Sequence, residues 1–327
     1  MQPSDLPARA WWSIARRVAL KSAGNRTMLI AAGVTFYLLL ALFPALAAFV
    51  SFYGFVADPR TIADHIAFLG GLLPQGGIDI IEHQLDALIS QNTNALTFGF
   101  LTGLAVALWS ANNGVKALFD AMNLAYEEEE KRGFIRLNLL SGLFTLGALA
   151  IGILLLLTVG VVPAALALLH VDHWAETIVR LARWPLMFLF VATAISLVYR
   201  FGPSRQPAKW RWLSWGAVLS TIVWMATSAG FSWYLQNFAD YNATYGSLGA
   251  VIGFMIWIWL STTILIVGAT VNAEMEHQTE HDTTTGPPEP MGERGAVMAD
   301  TVAGDGTPTE ADPLLEDARK ATVRSGD

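Results

Sequence analysis

The fold is decided by the stretch Ala95-Leu-Thr-Phe-Gly-Phe-Leu-Thr-Gly-Leu-Ala-Val-Ala-Leu-Trp109, which contains no charged residue. Such a run, continued to about 20 residues, spans a hydrocarbon core roughly 30 Å thick. The helix then turns polar on one side, because Asn112, Lys116, Asp120 and Asn123 follow helical spacing and stack in one stripe. The charged run Glu127-Glu-Glu-Glu-Lys-Arg132 comes next, and we expect water to solvate it. The stretch therefore predicts a membrane-spanning helix that ends in an aqueous phase.

The overall composition is that of a polytopic membrane protein. Hydrophobic residues make up 54% of the 327 residues and charged residues 14%, whereas about a quarter of the residues in a soluble domain are charged. The chain has no cysteine, which excludes disulfide frameworks, catalytic thiolates and thiolate-ligated metal centres. The predicted fold class is thus all-α, with helices that cross a bilayer.

Acidic charge is concentrated near the C-terminus. Residues 277–327 hold 11 of the 27 acidic residues but 4 of the 20 basic ones, so residues 1–276 are balanced. This terminal segment is rich in Thr, Gly, Pro, Asp and Glu, a composition that does not bury a core. We therefore predict a disordered acidic tail over residues 277–327. Its charge also argues against nucleic acid as a partner, since phosphate binding needs clustered Lys and Arg.

The rest of the chain divides into an N-terminal segment and a membrane domain. Residues 1–27 mix five basic residues with Trp11, Trp12, Ile14 and Val18, which predicts an uncleaved amphipathic helix at the membrane surface. Apolar runs in the membrane domain, residues 28–276, predict six spans at about 28–56, 95–122, 137–169, 181–199, 213–235 and 245–273. Between the first two spans, residues 58–94 predict an amphipathic hairpin at the outer surface. Pro44 should kink the first span, either to improve packing or to open a pocket.

The distribution of Lys and Arg predicts the orientation of these spans. The N-terminal segment and the loops after the second and fourth spans carry twelve basic residues, whereas the three remaining loops carry Arg60, Arg180 and Arg183. Because cytoplasmic loops are enriched in Lys and Arg, both termini should be cytoplasmic.

Three groups of residues resemble one family of membrane proteins. They are Asn25-Arg-Thr with Phe36-Tyr37 and Leu42-Phe43-Pro44; Trp109-Ser-Ala-Asn-Asn-Gly114 with Met122-Asn-Leu-Ala-Tyr126 and Lys131-Arg132; and Tyr245-Gly-Ser-Leu-Gly249 with Gly268-Ala-Thr-Val-Asn-Ala-Glu274. In order and spacing they resemble the YihY/BrkB family over about residues 20–275. The resemblance implies a six-helix protein of the bacterial inner membrane, with a suggested transport role and an old family label of ribonuclease BN. One departure is Thr270, where the family pattern often has Glu, so no role of that carboxylate carries over.

The polar stripe of the second span is the main candidate site. Ionisable groups at membrane depth usually face a bundle interior or a water-filled cavity, and Lys116 and Asp120 are one turn apart and can pair. In the alternative interpretation, Lys116 extends to the cytoplasmic boundary of the membrane and has no further role. Asn272 and Glu274 at the end of the last span complete the candidate polar cavity, where Glu274 could pair with Lys116 or with a loop arginine.

Other residues have structural interpretations. Gly99, Gly103, Gly246, Gly249 and Gly253 offer small faces on which helices can pack closely. His277-Gln-Thr-Glu-His281 matches a metalloprotease pattern in form, but a catalytic zinc needs a third ligand and a rigid setting. We expect neither a metal nor a cofactor, and no catalytic residue.

Three functions remain open at this stage. The first is a transporter-like protein that moves or binds an unidentified solute or lipid, with the lipid bilayer as its other partner. The alternative is a non-enzymatic scaffold for envelope assembly, and a ribonuclease comes last, because neither clustered metal ligands nor a basic groove is evident. A homo-oligomer also stays open. A water-accessible polar cavity between helices would favour the transporter over the scaffold.

Overall fold

The computed structural model describes residues 8–24, 26–56, 93–156, 173–237 and 248–303. Within these ranges there are eight helices and no β-strand: α1 (Ala8–Gly24), α2 (Thr27–Val56), α3 (Thr93–Ala125), α4 (Phe134–Leu156), α5 (His173–Phe201), α6 (Trp210–Asn237), α7 (Gly249–Glu276) and the short α8 (Val297–Asp300). One isolated antiparallel bridge joins Ala208 to Thr284. The predicted all-α class is confirmed.

Four of the long helices contain stretches that are long and apolar enough to cross a membrane. These stretches are Thr27–Ala45 in α2, Phe134–Ile151 in α4, Trp184–Phe201 in α5 and Val251–Glu276 in α7. Large apolar side chains such as Leu139, Leu143 and Leu189 are exposed on them, as expected where lipid replaces water. The helices α2 to α7 overlap the six runs predicted from the sequence, and Pro44 lies inside α2.

Helix α7 lies at the centre of the bundle, where it contacts α1, α2, α3, α6 and α8, while the most extensive helix pair is α2 with α3. The main cluster of buried apolar residues includes Tyr126, Tyr199, Ile266, Ala269 and Met298. Tyr126 and Met298 are not in the long helices, because one follows the end of α3 and the other lies in α8. The core therefore includes the connecting segments at one end of the bundle.

The backbone conformation after α3 places the following segment at this end of the bundle. Helix α3 stops where Glu127 adopts a left-handed conformation, with φ 55°, and the amide of Glu128 donates to the Asn123 carbonyl at 2.8 Å. This pattern closes the last turn of a helix, usually with glycine in the left-handed position. The segment after α3 then meets the α5–α6 connection, where the Lys131 amide donates to Ser204 Oγ at 2.9 Å.

The segment after α7 differs from the sequence prediction of disorder. Residues 277–303 pack on the bundle, where the buried Arg294 donates to three carbonyl oxygens, those of Ala299 at 2.6 Å, Glu280 at 2.8 Å and Glu289 at 3.1 Å. Met298 lies in the main core. Composition misses this order because one buried arginine with three hydrogen bonds and a few small apolar residues hold an otherwise polar segment in place. Residues 304–327 lie outside the described residues, as does almost all of the predicted hairpin, residues 58–94.

Candidate functional site: polar residues of α3 and α7

The four residues of the α3 stripe lie in different environments. Asn112 and Lys116 are half-buried, Asp120 is exposed, and Asn123 is buried. Both Lys116 and Asp120 lie in the described part of the chain, and no ion pair forms between them there. The stripe is therefore a partly accessible polar surface on α3 that runs into a buried residue at its end.

The neighbours of Lys116 fix its level along the bundle. Gly114, two residues before it, packs against Leu38, since a Cβ there would approach Leu38 Cδ2 to 3.1 Å. Phe119, three residues after it, packs edge-on against Phe144 with ring centroids 5.2 Å apart. Leu38 and Phe144 each lie about ten residues inside the apolar stretches of α2 and α4, which is ~15 Å of helix. The Arg132 guanidinium lies over the Phe119 ring at 5.2 Å, and the ring of Phe144 lies 6.4 Å from that of Phe201, the last residue of α5. Lys116 therefore lies beside both apolar stretches and within one turn of a residue that contacts the charged loops at the end of the bundle.

Helix α4 presents a polar face at its only buried positions among the described side chains. These positions are Ser141 and Thr145, one turn apart. Their hydroxyls donate to the carbonyls of Asn138 at 3.2 Å and Ser141 at 2.8 Å. Helix α4 packs mainly on α3 and has few contacts with α5, so its buried face towards α3 combines these two hydroxyl groups with the aromatic contact of Phe144.

Asn123 connects α3 to two loops. Its Oδ1 accepts a hydrogen bond from the Ser204 amide at 2.6 Å, and its Nδ2 donates to Glu130 Oε2 at 3.0 Å. Arg132 pairs with Glu130 at 2.5 Å and donates to the carbonyls of Phe201 and Gly202. Burial raises the pKa of Glu130, but the hydrogen bonds from Arg132 and Asn123 outweigh it and lower the pKa to about 2. Asn123 therefore joins loops at the end of the stripe.

The acidic run after α3 is not simply solvated, contrary to the sequence expectation. Glu127 pairs with Lys21 of α1 at 2.5 Å. The side chain of Glu128 is buried and accepts from the Val297 amide at 2.8 Å and from Lys131 Nζ at 3.0 Å. Glu129 alone of the four is exposed. Protein donors replace water because α1 and the segment after α7 both reach this short loop.

Glu274 lies fully buried at the end of α7 and is neutralised by α1. It forms ion pairs with Arg17 and with Lys21, the latter at 2.6 Å. Burial lowers the pKa of Lys21, but the charges of Glu274 and Glu127 raise it more, so the net pKa is raised. The partner of Glu274 is thus neither Lys116 nor a loop arginine, because α1 packs along α7 and brings its own cations to the carboxylate.

A second buried ion pair, two residues further along α7, was missed by the sequence analysis. Arg205 donates to Glu276 Oε2 at 2.7 Å, and both side chains are almost fully buried. The Arg205 guanidinium stacks over the ring of Tyr126 at 4.8 Å, and burial raises the pKa of that phenol. The sequence did contain one indication of a buried polar site here. Gly268, Asn272 and Glu276 are four residues apart and therefore share one face of α7.

Asn272 fastens α7 to α6. Its Oδ1 accepts from the Gly216 amide at 3.0 Å, and its Nδ2 donates to the Leu213 carbonyl at 3.4 Å. Thr270 is buried and its hydroxyl donates to the Ile266 carbonyl at 3.0 Å. Asn272 therefore bonds to α6, and Thr270 bonds within α7.

A family model described as virulence factor BrkB matches residues 19–292. The chain belongs to the BrkB family. Among its relatives, the "Putative ribonuclease-like protein YfkH" of Bacillus subtilis is 33% identical over 74% of this chain and 87% of the relative. "UPF0761 membrane protein IL2447" of Idiomarina loihiensis is 27% identical over 64% of this chain and 71% of the relative. "UPF0761 membrane protein NMB0524" of Neisseria meningitidis serogroup B is 24% identical over 81% of this chain and 63% of the relative. No solved structure matches the chain.

In this BrkB-family chain, the closest glycine contacts are not those expected from the sequence. Gly99 and Gly103 are half-buried, Gly246 lies outside the described residues, and Gly249 and Gly253 are buried. Gly253 has an ordinary contact with Leu235, at 3.8 Å from a built Cβ. A Cβ on Gly216 would instead overlap Asn272, and one on Gly268 would overlap Ser220 and Tyr199. The helices approach most closely where α7 packs on α6, and the Tyr199 side chain of α5 reaches the same point.

Metal ligands do not cluster in the part of the family fold that the structure describes. No group of three or more His, Asp or Glu side chains there could hold a metal ion. In the pentad 277–281, His277 Nδ1 lies 3.9 Å from Glu274, while His281 is exposed. His277 therefore lies beside the Glu274 ion pairs, and the two histidines do not come together as metal ligands.

Proposed function

We propose that this BrkB-family protein is a transporter-like protein of the bacterial inner membrane that moves or binds an unidentified solute or lipid. The observation that carries the proposal is Lys116, a half-buried lysine beside the apolar stretches of two helices, one turn from the charged end of the bundle and without an ion pair to Asp120. A charged group beside apolar helices is unfavourable in lipid and usually faces a water-filled cavity or a solute pathway.

The proposal includes six membrane spans, with α3 and α6 added to the four apolar helices. Support comes from the connections at one end of the bundle. The end of α1 contacts the segment after α3 through Lys21 and Glu127, that segment contacts the α5–α6 connection, and the connection contacts the segment after α7. The chain therefore leaves this end with α2 and returns with α3, leaves with α4 and returns with α5, and leaves with α6 and returns with α7. If α2 crosses the bilayer, α3 crosses back, and the same holds for α6 with α7.

The end at which these segments meet is proposed to be cytoplasmic, with both termini on that side. It gathers the basic segments of the chain, including Arg17, Lys21, Lys131, Arg132 and Arg205. Enrichment of Lys and Arg is typical of the cytoplasmic side. The hairpin at residues 58–94 would then lie at the outer surface.

The proposed pathway follows the boundary between α3 and α4. On one side lie Asn112, Lys116 and Asp120, and on the other side lie Ser141 and Thr145. Hydroxyl and amide groups in this position suit a hydrated solute or a lipid headgroup better than they suit acyl chains. Glu274 and Asn272 take no direct part, since protein groups already occupy them.

The experiment that tests this function measures solute protection of a cysteine at position 112, one turn from Lys116. Asn112→Cys would be labelled in lipid nanodiscs with a polar thiol reagent, in the presence of phosphate, an amino acid, a polyamine or a lysophospholipid. We expect at least one class to slow the labelling. The protection should disappear when Lys116→Met is added, because the binding charge is lost.

Two results would favour the other functions. If no class slows the labelling and none changes the thermal stability of the wild type, the envelope scaffold replaces the transporter. Release of nucleotides from RNA by the purified protein would support the activity in the printed name of the Bacillus subtilis relative. In that case Glu274→Gln and Glu276→Gln, which alter buried carboxylates, would show whether either carboxylate contributes.

A further inference from the structure

Helix α1 uses opposite faces for different contacts. Its inner face carries Ile14 and Val18, which are buried with Trp212 and Met275 in a second apolar cluster. The same inner side directs Arg17 and Lys21 to Glu274. This face is therefore fully accounted for by contacts within the protein.

The outer face of α1 carries two large apolar side chains and one arginine. Trp12 is 75% exposed and Leu20 is 61% exposed. Arg16 lies between them at a spacing of four residues, is exposed, and forms no ion pair within the described part of the chain. Trp, Leu and Arg in one exposed row are typical of a helix that lies in a membrane–water interface.

The position of this face in the fold is at the entry of a candidate span. Helix α1 ends at Gly24, and the apolar stretch of α2 begins at Thr27, after a turn in which Arg26 has φ 51°. Met28 and Leu29, at the start of that stretch, are 63% and 64% exposed. The exposed apolar surface of α1 is thus followed within a few residues by that of α2.

We propose that the outer face of α1 binds the anionic lipid surface of the cytoplasmic leaflet, with Arg16 contacting a phospholipid headgroup. Trp12 and Leu20 supply the apolar contact, and the surface continues that of α2, which argues for lipid as the occupant. An arginine near an anionic membrane surface is attracted to the phospholipid headgroups. Because the opposite face of the same helix neutralises Glu274, lipid binding also holds α1 against α7. The orientation assumed here rests on the proposed function, but the contact itself does not require transport.

The first test measures how deeply the outer face lies in the membrane. A nitroxide label at Ala19→Cys, on the outer face, would be compared with one at Glu129→Cys, an exposed position of the loop after α3. In liposomes of phosphatidylcholine and phosphatidylglycerol, we expect the label at position 19 to collide with oxygen and severalfold less with a water-soluble nickel complex. Equal nickel access at both positions would overturn the proposal, and so would spin–spin broadening at position 19, which would show a second copy on this face.

The second test concerns the headgroup charge. Phosphatidylglycerol added to the detergent-solubilised protein should raise the melting temperature of the wild type and of Arg16→Lys, but much less that of Arg16→Gln. An equal rise in all three would show that Arg16 does not contact the headgroup. Failure of solute protection at position 112 would leave both outcomes unchanged, so the two proposals are tested separately.

Discussion

Glu274 is the residue whose environment the structure defines most sharply, and it predicts an asymmetric mutational response. The carboxylate is fully buried, whereas Arg17 and Lys21 keep about a quarter of their side chains exposed. If the carboxylate is removed, the two cations can move towards water. If the cations are removed, a charge is left in the interior, and losses of this kind cost about 3–5 kcal/mol.

We therefore expect Arg17→Ala/Lys21→Ala to destabilise the protein more than Glu274→Ala. The triple variant should be milder than the double variant, because no stranded carboxylate remains. Reversible unfolding in mixed micelles would give the free energies. A triple variant that loses the sum of the other two losses would contradict a coupled cluster.

The sequence predicted which residues matter better than it predicted their partners. Asn123, Asn272 and Glu274 were expected to share a cavity with Lys116, yet each is bonded to protein groups from another helix or loop. Spacing along one helix shows which side chains share a face, but not which helix packs there. Arg205 and Glu276 were missed for the same reason, since they are 71 residues apart in the chain.

Close packing of α7 on α6, with the Tyr199 side chain of α5 at the same point, depends on Gly268. A Cβ at Gly268 would overlap Ser220 Oγ and the Tyr199 hydroxyl, which lie 2.8 Å apart in a buried hydrogen bond. Gly147 in α4 has no atom within 4 Å of a built Cβ. Both glycines are in helices, but only Gly147 has room for an added methyl group.

Gly268→Ala should destabilise the protein by about 1–3 kcal/mol through overpacking. The matched Gly147→Ala should be neutral or slightly stabilising, since alanine favours a helix over glycine by about 1 kcal/mol. Thermal unfolding of the two variants in one detergent compares them directly. A Gly268→Ala protein as stable as Gly147→Ala would argue against the tight α5–α6–α7 contact.

The segment after α7 was predicted from composition to be disordered, and here the prediction was wrong over residues 277–303. Such compositions fail to fold alone because they bury too little apolar surface. This segment is instead ordered by contacts with the bundle. The Lys209 amide donates a hydrogen bond to the Thr283 carbonyl, and the Lys209 ammonium donates one to the Asp282 carbonyl. Composition indicates how much apolar surface a segment can bury by itself. It does not show which surface of the helix bundle the segment packs against.

Truncation separates the ordered part of this segment from the rest. A chain ending at residue 282 loses Arg294 and Met298 and should melt at a clearly lower temperature than the full chain. A chain ending at residue 303 is the control and should retain most of the stability, because it keeps every contact described for this segment. Equal melting temperatures for the two truncations would show that residues 283–303 do not stabilise the bundle.

The whole molecule has one end at which its charged and polar contacts are concentrated. The N-terminal helix, two loops and the segment after α7 all meet there, and the acidic run 127–130 in one of these loops bonds to the N-terminal helix and to the segment after α7. The basic bias of the sequence predicted the orientation of this end, but the sequence could not predict its long-range ion pairs. The chain has no cysteine, which makes labelling tests of orientation clean.

The topology predicts opposite reactivity for two introduced cysteines. Glu293→Cys, at an exposed position after α7, should be protected from an impermeant thiol reagent in intact cells and react in inside-out vesicles. Asn242→Cys, between the last two helices, should react in intact cells. The reverse pattern would show that the clustered end faces outwards.

The most direct measurement for the transporter account is water access to the polar stripe of α3. Asn112→Cys and Lys116→Cys would be treated in inside-out vesicles with a charged thiol reagent, next to Val106→Cys, an exposed apolar position on the same helix. Because a thiol in lipid stays protonated and unreactive, we predict rapid reaction at positions 112 and 116 and very slow reaction at position 106. If positions 112 and 116 react as slowly as position 106, no water reaches the stripe, and the proposed pathway between α3 and α4 is contradicted.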